Sequence, residues 1–513
     1  MKILKIAIIG GGTAGWLAAN HLGREMHADP AVQITVIESD EVPIIGVGEG
    51  TVPAIKGSLR KFGISEAELL LHCETTFKAG IKFQNWLDEA VHGPDHFYYH
   101  PFASAYPGGL DASPFCLQNS AHFPFSDVSV AARVAEAMRS PKQIASGPYE
   151  GEVDYAYHVN AHQFAGLLAR NAQQRFGVTH RVATITGAER DAEGNIACLV
   201  LKSGEREAYD FYIDCSGFAS LLTHRTLKVP FVDKSNQILT DTALVQQVPT
   251  AHEAEIPPYT LATAHRAGWI WDIPVTERRG TGFVYASQYM QEDEAVAAFA
   301  RYLGRPLEGF APRKIAMKIG YRQQAWTHNC VALGLAQGFV EPLEATSILL
   351  TDFAAGLLAR NFPRWRGDAE RLRPHVNQVL GYAWERIIDF VQMHYHVSDR
   401  NDSAFWRDNR FGTHVSELLR ERLDKWRIYH PQQTDFSSRF DLFGVENYLY
   451  VLYGMRFATR GFPISEFERS DSHQQLERIR AQTARLVAQL PSHRDWLNGL
   501  REAARAQQIG AAA

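Results

Sequence analysis

The run Gly10-Gly11-Gly12-Thr13-Ala14-Gly15 constrains this chain more than any other feature. Glycines at that spacing, between a strand and a helix, belong to one local fold. The apolar tetrapeptide Ile6-Ala7-Ile8-Ile9 precedes the run, and residues 14–24 read as helix after it. Gly10 allows the tight strand-to-helix turn, Gly12 lets backbone approach a pyrophosphate, and Gly15 lets helix pack on strand. The helix start then offers N–H donors to a phosphate. A second strand, Ile34-Thr35-Val36-Ile37, ends at Glu38, where an acidic side chain binds a ribose hydroxyl pair. This unit predicts a parallel sheet at the start of the fold. The motif alone does not separate FAD from NAD, and a glycine-rich turn without ligand is the competing reading.

Further along, residues 90–150 are rich in Gly, Pro, His and aromatics and lack long periodic runs. They read as a loop-rich insertion that contributes to a site rather than to a central sheet. Residues 178–232 and 238–290 return to short strand-like runs. From about residue 344 helical patterns dominate. The expected fold class is therefore α/β: a Rossmann-like βαβ body with mixed sheets over residues 1–343, and a mostly helical C-terminal subdomain over residues 344–513. Residues 504–513 are expected to fray.

Lys+Arg total 52 against Asp+Glu 57, for a net charge of -5, which gives no electrostatic case for nucleic-acid binding. The five cysteines (Cys73, Cys116, Cys198, Cys215 and Cys330) make no C-x-x-C pair, which fits a reducing cytoplasm and no zinc or dithiol site. No apolar run reaches the ~20 residues of a membrane span, and no signal peptide is read at the start. His394 and His396 form an H-x-H pair without a third ligand at suitable spacing, so no metal is expected and both read as structural.

Six segments together resemble the flavin-dependent tryptophan halogenase family. They are GGGTAGW from Gly10, GVGEGTVP from Gly46, TTFKAG around Lys78, GWIWDIP from Gly268, GLAQGFVEPLEATS from Gly334, and HYHVSDRNDSAFW from His394. The most diagnostic is W-x-W-x-I-P, carried by Trp269, Trp271, Ile273 and Pro274. Read from the residues alone, two tryptophans at period 2 say only that one strand face is heavily aromatic, and plain core is the leading reading. In the family this segment walls the space behind the flavin.

The resemblance implies that FAD, reduced by a separate flavin reductase, converts halide and oxygen to hypohalous acid. The acid then travels through a tunnel to a small aromatic substrate. Gly10, Gly12, Thr13, Ala14, Gly15, Glu38, Gly48 and Gly334 are implied to hold FAD. Lys78 matches the catalytic lysine, either as an ammonium bonded to hypohalous acid or as a haloamine. A solvated, snorkelling lysine is the reading that composition alone favours. Glu344 matches the catalytic glutamate, while Glu341, three residues away, reads as a structural helix cap. Backbone amides of Thr346 and Ser347 are implied to bind halide, and His100 and Phe102 to flank the substrate ring. A homodimer is also implied.

Three positions depart from the family pattern. Ala345 stands for a common serine, Ser347 for a common glycine, and Gly50 for a common alanine. Ser347 alters the size and polarity of the halide site, so bromide, chloride or both are expected. The segment Glu446-Asn447-Tyr448-Leu449-Tyr450-Val451-Leu452-Tyr453-Gly454-Met455 does not align onto the family's anchors for free tryptophan. A site lacking such polar partners loses that selectivity. The expected substrate is indole or a similar electron-rich arene. A flavin monooxygenase and a non-catalytic flavin-binding protein are the competing readings.

Overall fold

In the computed structural model, which describes residues 2–42, 46, 48–119, 123–461 and 463–512, the Lys5–Ile9 strand, Thr13–Met26 helix and Gln33–Glu38 strand form the opening βαβ unit. Val47, within the segment that begins at Gly46, lies outside the described residues. The Lys5–Ile9 strand pairs in parallel with Gln33–Glu38 on one side and Phe211–Asp214 on the other. Thr179–Val182 and Cys330–Ala332 extend the parallel pairing outward, and Trp326–Thr327 closes one edge in antiparallel register. The central strands carry continuous apolar runs because this sheet is covered on both faces. Ile6, Ile8, Val36 and Ile213 are all fully buried.

A second sheet of seven strands runs in the order Arg313–Ala316, Thr242–Pro249, Arg278–Tyr285, Gly268–Pro274, Thr260–His265, Gly80–Gln84, Phe97–Pro101. Its central Gly268–Pro274 strand is buried at every position, which is why it lacks alternating polar residues. A small third sheet joins Glu49–Gly50, Ala156–Val159 and Thr76–Lys78, and so brings Gly50 and Lys78 onto the two sides of one strand.

The expectation for residues 90–150 needs correction. Phe97–Pro101 is an edge strand of the seven-stranded sheet, paired antiparallel with Gly80–Gln84. Its Tyr98-Tyr99-His100 run is too short for periodicity to announce, but these side chains pack well on a pleated surface. In the tail, the described residues 504–512 continue the His493–Ala512 helix, whose alanine-rich end favours helix.

Every element after Thr346 is helical. Several of these helices share a core with the seven-stranded sheet: Phe390, Tyr395 and Tyr448 lie in the same apolar cluster as Trp269, Trp271 and Phe283, whereas Trp496 and Leu497 of the last helix pack in the cluster of the parallel sheet. No described helix is long and apolar enough to cross a membrane.

Trp271 sits directly opposite Gly282 across the strand pair, and a Cβ at Gly282 would lie 2.2 Å from the Trp271 ring. Gly282→Ala is expected to cost about 1–3 kcal/mol through overpacking, read as a lower unfolding midpoint. Trp271→Leu in the same chain is expected to restore part of it. An unchanged midpoint in Gly282→Ala would remove the steric argument.

Candidate active site

The glycine run opens a cleft of about 480 Å³. Gly10 has φ +112°, and a Cβ there would meet the Cys215 carbonyl oxygen at 2.3 Å. A Cβ at Gly15 would lie 1.9 Å from the Gly10 oxygen, whereas one at Gly12 meets nothing within 4 Å. Gly10 and Gly15 are thus glycine for packing, and Gly12 leaves its face open to the cleft. The Thr13–Met26 helix has no side-chain N-cap and no acidic residue in its first turn, so its leading amides stay available to an anion. Thr13, Ala14, Glu38 and Gly334 also line the cleft. The Glu38 carboxylate accepts from His180 Nε2 at 2.9 Å and lies over Gly11. Gly48, expected at the cofactor, borders a second cavity instead.

This inner cavity, about 170 Å³, is walled by Lys78, Glu344, Trp269, Trp271 and Ile273. Glu49, Phe218, Leu335, Ser347 and Ile348 line both spaces, so cleft and cavity meet at a neck. Pro274 does not line the cavity. Its carbonyl accepts from the Thr76 hydroxyl at 2.6 Å, tying the aromatic strand to the Lys78 strand.

Lys78 is fully buried rather than snorkelling. Burial pushes its ammonium down to about 8, against the attraction of Glu344. Nζ donates to the Thr51 carbonyl at 3.2 Å and sits 5.2 Å from the centre of the Phe102 ring. A Cβ at Gly50 would come within 3.1 Å of Nζ, so the glycine leaves room beside the reactive end of the lysine.

Glu344 projects from a strained turn. It has φ 68° and Ala345 has φ 56°, two successive non-glycine residues in the left-handed region immediately before the Thr346–Arg360 helix. Such residues cost about 1–3 kcal/mol each and persist where surroundings enforce them. Here two imidazoles do so: the carboxylate accepts from His100 Nδ1 at 2.7 Å and from His394 Nε2 at 2.9 Å. Burial pushes this carboxyl up, but the charge and hydrogen bonds of His100 and His394 outweigh it and hold it at about 2.

Glu341 is not a helix cap. It is fully buried, accepts from Tyr395 Oη at 2.5 Å, Trp269 Nε1 at 3.2 Å and the Thr240 hydroxyl, and burial pushes its carboxyl up to about 7. Its oxygens are occupied by the core, and those of Glu344 by the site.

His394 belongs to the site, where sequence reading treated it with His396 as structural. Two positions apart on a helix, the pair faces opposite ways, and His394 points inward, its Nδ1 facing the Phe390 carbonyl at 2.8 Å. Both ring nitrogens of His394 thus face oxygen atoms, the Phe390 carbonyl and the Glu344 carboxylate. His493 was also missed. Its Nε2 accepts from the Phe77 amide at 3.0 Å and its Nδ1–H donates to the Ile256 carbonyl at 2.9 Å, fixing the backbone next to Lys78. No sequence signal links positions so far apart.

The family model for tryptophan halogenases matches residues 5–465. The tryptophan 6-halogenase SttH of Streptomyces toxytricini is 33% identical, over 88% of this chain and 89% of that protein. The crystal structure of a tryptophan halogenase from Shewanella frigidimarina superposes with a TM-score of 0.93 at 33% identity, covering 98% of both chains. BrvH, a flavin-dependent halogenase from Brevundimonas sp. BAL3, superposes with a TM-score of 0.87 at 31% identity, covering 97% of this chain and 99% of that one.

Burial pushes the His493 imidazole down to about 4. The unfolded chain therefore takes up a proton between pH ~6.5 and ~4 that the folded chain refuses. Stability from this group is complete above pH ~6.5 and is lost as pH falls towards 4, by on the order of 3 kcal/mol. His493→Gln keeps one acceptor and one donor but does not titrate, and its melting temperature is expected to fall less between pH 7 and pH 4.5 than that of the parent. Equal acid sensitivity of the two proteins would refute this.

Proposed function

The chain belongs to the tryptophan halogenase family and is a flavin-dependent halogenase; we propose that it uses reduced FAD, dioxygen and bromide or chloride to make hypohalous acid, and that Lys78 delivers the halogen to indole or a similar electron-rich arene. The observation that carries this reading is the neck: the cleft at the glycine run opens onto an inner cavity that holds Lys78 and Glu344, with Glu49 at the neck between the two spaces. Bound flavin would supply the redox chemistry that oxidises halide. The glycine face at Gly12, the uncapped helix start and Glu38 fit the phosphates and ribose of such a cofactor. No second nucleotide-binding unit is legible in the sequence, so reducing equivalents come from a separate flavin reductase.

Amides at the start of the Thr346–Arg360 helix lack intrahelical acceptors and suit a halide. A chamber of about 10 Å³, room for one water-sized guest, lies against Thr346 and Ser347. Ser347 also borders the neck, which supports an anion site between the two spaces.

In its ammonium form Lys78 donates a hydrogen bond that polarises hypohalous acid. In its amine form its lone pair attacks the halogen as the oxygen–halogen bond breaks, and the departing hydroxide takes an N–H proton and leaves as water. A pKa near 8 populates both forms around neutral pH. Glu344, an anion between two imidazoles, accepts the proton that the arene loses, and His394 holds the carboxylate in place. His100 and Phe102 flank the arene.

Relatives such as SttH are named for tryptophan. In this chain Glu446, which opens the Val445–Gly454 helix, accepts from the Ser104 hydroxyl at 2.7 Å, and Tyr450 Oη donates to the Ser104 carbonyl at 3.0 Å. With these groups engaged by protein, we infer an arene without an amino-acid backbone to anchor.

The test is mass spectrometry of indole incubated with the protein, FAD, a flavin reductase, NADH, and chloride or bromide. A halogen isotope pattern is expected, and Lys78→Ala is expected to reduce it to the background of free hypohalous acid. Oxygenated indole formed without halide would replace this reading with a monooxygenase.

Lys78 also carries a stability cost. Its folded pKa of about 8 lies below the ordinary 10.5, so the buried ammonium opposes folding by on the order of 3 kcal/mol below pH 8. That penalty fades as pH rises from 8 to 10.5. Lys78→Met is therefore expected to be inactive yet more stable than the parent at pH 7, with the gain gone by pH ~10.5. A variant less stable at pH 7 would show that the lysine's contacts outweigh its desolvation.

A further inference from the structure

Of the five residues that line both cleft and cavity, Glu49 alone is ionisable. Its neighbours in the neck are Phe218, Leu335 and Ile348, with Ser347 the one other polar side chain. Among the described residues no side-chain hydrogen bond or ion pair holds its carboxyl. Glu344, by contrast, has two imidazoles and Glu341 three donors. The charged groups of the surrounding elements lie off the neck: Lys78, Glu344 and Arg313 in the inner cavity, Glu38 and Arg225 in the cleft. The backbone fixes Glu49 in place, because Glu49 pairs with Val159 in the small third sheet, one residue before the glycine that flanks Lys78. Glu49 is half-buried in this apolar neck, and a carboxyl there without a partner has its charged form disfavoured.

We propose that Glu49 is a halide-site residue: its neutral carboxyl donates a hydrogen bond to halide held at Ser347, and its carboxylate expels that halide. This rests on the halogenase reading above and adds a residue and a pH dependence to it. Burial pushes the Glu49 carboxyl up to about 7, so the switch falls within the working range of such an enzyme. Hypohalous acid in its protonated form carries no charge for the Glu49 carboxylate to repel. The charge on Glu49 thus acts on the ion that enters and spares the acid that moves on to Lys78.

The test is chloride and bromide binding to the FAD-saturated, non-turning-over protein, followed by halide NMR line broadening from pH 6 to pH 8.5. One linked proton weakens halide binding about tenfold for each pH unit above 7. Glu49→Gln keeps a donor and cannot ionise, and its affinity is expected to be flat across this range, within a fewfold of the parent at pH 6. A flat profile in the parent overturns the proposal whatever the variant does, and so does a Glu49→Gln profile that still follows the parent. Because no turnover is involved, the result stands apart from whether indole is the substrate: a protein that binds halide in this way but does not halogenate indole would fault the substrate and leave Glu49 in place.

Discussion

A buried ammonium and a buried carboxylate share one apolar cavity, and most of what surrounds them answers the problem this creates. Removing an ion from water costs several kcal/mol unless new partners replace the solvent. The two ions are treated unequally. Glu344 receives His100 and His394 and is held ionised far below neutrality. Lys78 receives one carbonyl and the face of Phe102, and its proton is loosened. A firm anion beside a labile cation is what a site needs if the cation is to pass a halogen on while the anion collects a proton.

The scaffold expresses this division in its connections. Thr76 ties the lysine strand to Pro274 at the end of the aromatic strand, and Trp269 in that strand ties to Glu341, three residues before Glu344. Tyr395 bonds Glu341 while its neighbour His394 bonds Glu344, so one helix end grips both carboxylates and keeps them apart. A shared core spanning sheet and helices holds these contacts in register.

Legibility from sequence followed the range of the interactions. The βαβ unit was readable because Gly10, Gly12 and Gly15 act within six residues; Gly10 and Gly15 are glycine for steric reasons, and Gly12 leaves its face open to the cleft. The aromatic strand was readable as a strand, though its all-buried character gives no periodic signal to separate it from core. What escaped was long-range. His394 looked like half of an H-x-H pair because the partner that gives it meaning lies 50 positions away. Glu341 and Glu344 were distinguishable only by the family pattern, since their separation depends on who reaches each carboxylate. Phe97–Pro101 was missed as a strand because its pairing partner, not its own pattern, defines it.

The contact between Phe77 and His493 spans 416 positions. On a ribosome the lysine strand is made early, while the imidazole that fixes its backbone is made near the end. The N-terminal glycine run and its cleft can be in place long before then. The backbone beside Lys78 gains this contact only after residue 493 has been made, so a chain interrupted earlier can hold the glycine-run cleft without it.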